Sequence, residues 1–291
     1  MTKILITGAT GQIGTELVIA LREKHGSSQV VAVGHPQNSA KRFNDGPYAD
    51  LDICDRSALE ELIKTHQPEL IYHLVGILSA TGEKNPLLAW QVNMEGLKNV
   101  LDLSLKYGVK QVFWPSSIAA FGPTTPLENT PQHTVLEPTT MYGVTKVSGE
   151  LLCQYYWHKY GLDVRSIRYP GIISYKTAPG GGTTDYAVAI YFEGKAHNTY
   201  NCFVREDTIL PMMYMPDAIR ATIQLMESPA ENIKVRTSYN LTAMSFSAQE
   251  LAENLKKYLP DFSCQYQPDE RQKIADSWPK TIDDSAAQQD W

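Results

Sequence analysis

The chain has 291 residues, 43% of them hydrophobic, which suffices for one large domain or for one domain with a small appendage. Its formal net charge of -6 provides no basic field for nucleic acid or an anionic membrane, and its apolar runs are too short to span a bilayer. Cys54, Cys153, Cys202 and Cys264 form no C-x-x-C pair, and the seven histidines form no H-x-x-x-H set, so reduced thiols and no metal site are expected. The N-terminus "MTKILITGATGQIG" enters a strand at once and lacks the pattern of a secretory signal, which points to the cytoplasm.

In chain order, "KILIT" (3–7) reads as a strand, followed by a helix over 11–25, "QVVAVG" (29–34) and "YADLDI" (48–53). A helix over 57–65, "LIYHLVG" (70–76), a helix over 86–107, "QVFWPSS" (111–117), a helix over 142–160 and "VRSIRYP" (164–170) come next. Continuous Val/Ile/Leu runs are expected of strands covered on both faces, so this βαβ series predicts an α/β fold with a doubly wound parallel sheet. From Gly171 the rhythm changes. A glycine-rich loop "YKTAPGGGTTDY", a helix, "LPMMYMPDAIRATIQLME" as strand then helix, a strand "SYNLTAM" and a helix over 247–258 suggest a small C-terminal cap. The predicted division is a dinucleotide-binding domain over 1–170 and a mainly substrate-binding cap over 171–291, with some segments returning to the sheet.

Gly8, Gly11 and Gly14 fall between the first strand and its helix. Glycines there permit a tight turn and close approach of backbone to a pyrophosphate, while the helix N-terminus offers amide donors. Further on, Tyr142 and Lys146 stand four residues apart and share one helix face. Ser116 and Ser117 close the preceding strand and point to opposite sides of it, so one of them is expected at the reacting oxygen.

These segments together resemble the extended short-chain dehydrogenase/reductase superfamily. In that resemblance Tyr142 is the acid/base, Lys146 holds the nicotinamide ribose and positive charge lowers the phenol below its usual value of about 10. The resemblance implies NAD as cofactor, with Asp52 and Ile53 near the adenine. It extends the contact set to Gln12, Ile13, Leu74, Val75, Gly76, Asn93, Tyr169, Pro170 and Ile172. The acidic residue normally found at the end of the second strand is missing, since that strand ends "AVGHPQ" with Gly34 and His35, and no arginine occupies 34–40. Gly34→Asp is therefore expected to sharpen the preference for NAD over NADP.

Longer strings, "PGGGTTDYAV" and "RQKIADSWP" among them, are similar to the short-chain L-threonine 3-dehydrogenase family. That resemblance implies oxidation of the β-hydroxyl of L-threonine and a homodimer built on the helices over 86–107 and 142–160. Gly182, Thr183 and Thr184 would receive the substrate carboxylate, with Ser79 as a further candidate. Asp185 either faces the ammonium or caps the following helix. Two other functions share parts of this pattern. A nucleotide-sugar epimerase or dehydratase shares the N-terminal half, and a non-catalytic dinucleotide-sensing regulator shares only the glycine loop.

Overall fold

The computed structural model describes residues 2–37 and 42–291. The first half runs β1 (Ile4–Thr7), α1 (Gln12–His25), β2 (Val30–Gly34), β3 (Tyr48–Asp50), α2 (Arg56–His66) and β4 (Leu70–His73). Three helical pieces follow, α3 (Ser79–Lys84), α4 (Pro86–Trp90) and α5 (Gly96–Tyr107), before β5 (Gln111–Ser117), α6 (Met141–Tyr160) and β6 (Asp163–Tyr169). The remainder comprises β7 (Gly171–Ile173), α7 (Tyr186–His197), β8 (Thr199–Cys202), β9 (Ile209–Tyr214), α8 (Met215–Glu227) and β10 (Tyr239–Asn240). Last come β11 (Met244–Ser247), α9 (Ala248–Lys256), β12 (Ser263–Tyr266), α10 (Arg271–Ala275) and α11 (Ser285–Asp290).

Seven parallel strands lie in the order β10-β6-β5-β4-β1-β2-β3, so the chain reverses direction across the sheet between β1 and β4. This is the doubly wound α/β arrangement, and it opens a crevice at the carboxyl ends of those strands. Alternate residues of each strand bury on opposite faces: Ile4 and Ile6 meet α1 and α8, whereas Leu5 meets the side covered by α2, α5 and α6. A third cluster joins Ile118, Phe121 and Tyr142 to α7, α9 and the segment around Trp278. It roofs the crevice.

The helix expected over 86–107 is interrupted. Gln91–Glu95 form a π-helical turn between α4 and α5. Such bulges recur at functional sites, and here the turn carries the buried Asn93. The strand expected at "SYNLTAM" is also split. Only Tyr239–Asn240 pair with β6, and Met244 begins a strand of the small β11-β9-β7 sheet. At the stop the Asn240 backbone amide donates to the Gln132 side-chain oxygen at 2.8 Å, outside the ladder, and its side-chain amide donates to the carbonyls of Thr130 and Asp283. The C-terminal helix is held by Tyr239, whose hydroxyl donates to Asp290 at 2.7 Å and whose ring meets Trp291 edge-on. Among the described residues no helix is long and apolar enough to cross a membrane, and no group of His, Cys, Asp and Glu has the arrangement of a metal site.

Candidate active site

The turn after β1 is shaped by close backbone approaches. Gly8 adopts a positive φ of 76°, and a side chain at Gly14 would strike the Gly8 carbonyl at 2.3 Å. α1 starts from Gly11 with no side-chain cap and no acidic residue in its first turn, so its leading amides are left for an anionic group. Beside them lies a cavity of about 630 Å³, lined by Gly8, Gly11, Asp52, Ile53, Leu74, Val75 and Gly76. Thr10, His35, Gln37, Leu88 and Gln91 complete its wall, none of them singled out by the sequence motifs. These features fit a dinucleotide. Asp52 lies beyond the end of β3, where its carboxylate accepts from the Cys54 amide at 2.9 Å. The strand predicted over 48–53 thus ends at Asp50 and yields to a turn.

The crevice continues into a narrow chamber of about 140 Å³. Gln12, Ile13, Pro170 and Ile172 form its cofactor side, and Ser79, Ser117, Tyr142, Lys146, Thr183 and Thr184 its far side. α6 is fixed there at its start and near its middle. Thr140 caps it by accepting from the Gly143 amide, and Gly149 lies so near Trp114 that a Cβ would be 2.4 Å from the ring. The helix therefore sits close on β5, and the Lys146 ammonium rests 5.2 Å from the centre of the Tyr142 ring and 4.5 Å from that of Trp114. Lys146 also donates to the Pro115 carbonyl at 2.6 Å.

In the protein alone, burial dominates the electrostatics of the pair. Burial raises the Tyr142 phenol to about 12, with the neighbouring Ser117 hydroxyl pulling the other way. Burial also lowers Lys146 to about 7. A lysine so easily discharged cannot by itself depress the phenol, because desolvation disfavours the charged form of both groups.

The two serines separate as the pleat requires. Ser117 lies toward Tyr142 and accepts from the Ala119 amide. Ser116 also borders the chamber, but its hydroxyl donates to Glu150 at 2.6 Å. Glu150 in turn receives Arg168 through two bonds of 2.9 and 2.7 Å. This buried network ties α6 to β5 and β6 one turn beyond Lys146.

Three further expected residues have side chains already engaged. Asn93 lines neither cavity; its amide group bonds both backbone atoms of Ile77 and the Thr145 hydroxyl, which fixes the loop after β4. The Tyr169 phenol points into the core and bonds Thr222, leaving its main chain at the chamber wall. Asp185 makes no side-chain cap on the following helix α7; its carboxylate reaches back to accept from the amides of Gly180, Gly181 and Gly182 at 2.7 to 2.8 Å. The Gly182 amide is consequently unavailable to a substrate carboxylate. Ser79 and Thr183 remain, both buried and joined through their hydroxyls at 3.0 Å.

The model of the NAD dependent epimerase/dehydratase family matches residues 4–241. The chain belongs to this family. NAD is accordingly its cofactor, in agreement with the uncapped helix and the glycine turn. A family relative from Staphylococcus saprophyticus, described as an uncharacterized epimerase/dehydratase, is 50% identical over the whole of this chain and 91% of its own length. The holo L-threonine dehydrogenase of Cupriavidus necator is 51% identical over 99% of this chain and 93% of its own, with a TM-score of 0.96. A monomeric L-threonine 3-dehydrogenase of metagenomic origin is 50% identical over 99% and 92%, with a TM-score of 0.95.

One wall of the chamber carried no sequence expectation. Trp278, 5% exposed, reaches it from the segment before α11, opposite Leu78 and Ile118. It belongs to the "RQKIADSWP" string, whose composition alone does not say which residue faces a ligand.

Proposed function

We propose that the protein oxidises the β-hydroxyl of L-threonine with NAD, giving 2-amino-3-oxobutyrate. The observation that carries this reading is the chamber itself: small, lined by hydroxyl and apolar side chains together, and with Lys146 as the only cationic side chain among its lining residues. A nucleotide sugar would need a longer groove and cations for its diphosphate. The serine, tyrosine and lysine set likewise favours an enzyme over a dinucleotide-sensing regulator. NAD bound in the crevice supplies the hydride acceptor. Tyr142 takes the hydroxyl proton, Ser117 orients the oxygen, and Lys146 holds the ribose and stabilises the phenolate once the site is filled. Ser79, Thr183 and Thr184 receive the carboxylate, while Leu78, Ile118 and Trp278 surround the methyl group.

NADH appearance with L-threonine, allo-threonine, serine and a UDP-sugar in parallel tests the assignment. Threonine should react and allo-threonine poorly, because its hydroxyl and methyl are exchanged. Serine should lose about 1 to 3 kcal/mol of transition-state binding for the absent methyl. Turnover of the sugar without threonine would reverse the reading.

We further propose that two copies pair through α4 and α6. Leu87 on α4 is 82% exposed and Leu151 on α6 57%, with Trp90 and Tyr155 also open to solvent. An apolar surface of this kind on two adjacent helices suits a two-fold contact. Light scattering at working concentration should return the dimer mass; a monomer would reject the pairing.

A further inference from the structure

All four cysteines are free thiols, and two of them meet in the cap. β8 and β12 run parallel as a two-stranded sheet, with Cys264 opposite Tyr200 and Tyr266 opposite Cys202. Cys202 and Cys264 are therefore diagonal neighbours on adjacent strands, and residues two apart along a strand share one face. That face is the inner one, since both cysteines pack into the cluster that roofs the crevice. They differ in access: Cys202 is 1% exposed, whereas Cys264 is only part-buried.

The Cys264 sulfur accepts hydrogen bonds from the Cys202 thiol, the Tyr266 hydroxyl and the Cys202 backbone amide. These contacts, the Cys202 thiol foremost, lower the Cys264 thiol to about 7 against the effect of burial, and Lys256 of α9 adds positive charge. Cys202 is pushed upward by the same contact and by burial, so it keeps its proton. Burial raises Cys153, and burial with the Asp52 carboxylate raises Cys54, so neither is a comparable nucleophile. An accessible thiolate beside a second thiol is the arrangement of a peroxide-reactive site.

We propose that Cys264 and Cys202 form a reversible redox pair whose oxidant is a hydroperoxide. The Cys264 thiolate attacks one peroxide oxygen, the O–O bond breaks and hydroxide leaves, which oxidises the sulfur to a sulfenic acid. The Cys202 sulfur then attacks that of Cys264 and releases its proton; the S–S bond forms, the S–O bond breaks and the hydroxyl leaves as water. Two thiols and one hydrogen peroxide thus become one disulfide and two waters, and an external dithiol reverses the change. β12 is paired with β8 alone, so it is free to shift as the sulfurs close to bonding distance. The proposal depends neither on NAD nor on which alcohol is oxidised.

Hydrogen peroxide in slight excess, added to the reduced parent, Cys202→Ser and Cys264→Ser, tests this without turnover. The parent should fall from four titratable thiols to two. Peptide mapping without reductant should recover residues 202 and 264 as one cross-linked pair, and non-reducing electrophoresis should show a single-chain band. Dithiothreitol should restore all the thiols. Cys202→Ser should stop at the sulfenic acid, trapped on Cys264 by dimedone. Cys264→Ser should lose thiols at least about ten-fold more slowly than the parent, because the reactive thiolate is gone. Mapping of the parent alone decides the matter should either variant fold poorly. An oxidised parent without the 202–264 link, prior oxidation of Cys54 or Cys153, a link between two copies, or the parent's rate in Cys264→Ser would each overturn the proposal.

Discussion

Tyr142→Phe is expected to lower turnover by at least about 10², the loss typical of a missing acid/base, while NAD affinity and folding change little. The substitution removes one oxygen from a ring that packs against Ile118 and Ala119, so the apolar contacts survive. The pH profile gives a second readout. The phenol sits at about 12 in the cofactor-free site, so its deprotonated fraction grows as pH rises toward that value. Any lowering by the filled site moves this limb to lower pH without changing its direction. The parent's kcat/KM should therefore climb through the alkaline range, and the phenylalanine variant should lack that limb. Near-normal turnover in purified Tyr142→Phe would exclude the assigned role.

Glu150→Ala should cause the largest loss of stability, about 3 to 5 kcal/mol, because it strands the Arg168 guanidinium in the core. Both partners are almost wholly buried, with side chains 1% and 4% exposed. Ser116 would lose its acceptor at the same time. Arg168 would keep Asn240 and the Gln132 carbonyl, neither of which neutralises its charge. Denaturant unfolding monitored by circular dichroism measures the change, and a loss below 1 kcal/mol would show that water or a rearranged partner reaches the arginine. Replacing both residues with apolar groups of similar volume should recover much of the loss.

The doubly wound parallel sheet and the dinucleotide turn were legible in the residues. Doubly covered strands must be apolar throughout, and a backbone that touches both a helix and a phosphate must be glycine. The Tyr142/Lys146 pair was equally open to reading, since four residues bring two side chains onto one helix face. Local periodicity extends no further than that. It separated Ser116 from Ser117 without saying which face carried the site, because the position of Glu150 depends on how α6 lies across β5. The family resemblance placed Asn93 near the cofactor, but the π-helical turn directs that side chain to the loop at Ile77.

Long-range contacts decided the rest. Asp185 follows three glycines, yet its choice of their amides over a substrate ammonium depends on the curl of the loop from Gly180 to Gly182. Trp278 reaches the chamber from a segment more than a hundred residues beyond Tyr142 in sequence, and no spacing rule connects them. The missing carboxylate at Gly34 was visible from the sequence, whereas the Tyr48 hydroxyl that a Cβ there would meet at 2.1 Å was not. The sequence by itself determined the fold, the cofactor turn and the pair of groups on α6, all products of backbone geometry and short-range periodicity. Only the tertiary structure decided which polar groups face the ligand and which are bound to one another. That choice depends on burial and on partners brought together from different elements.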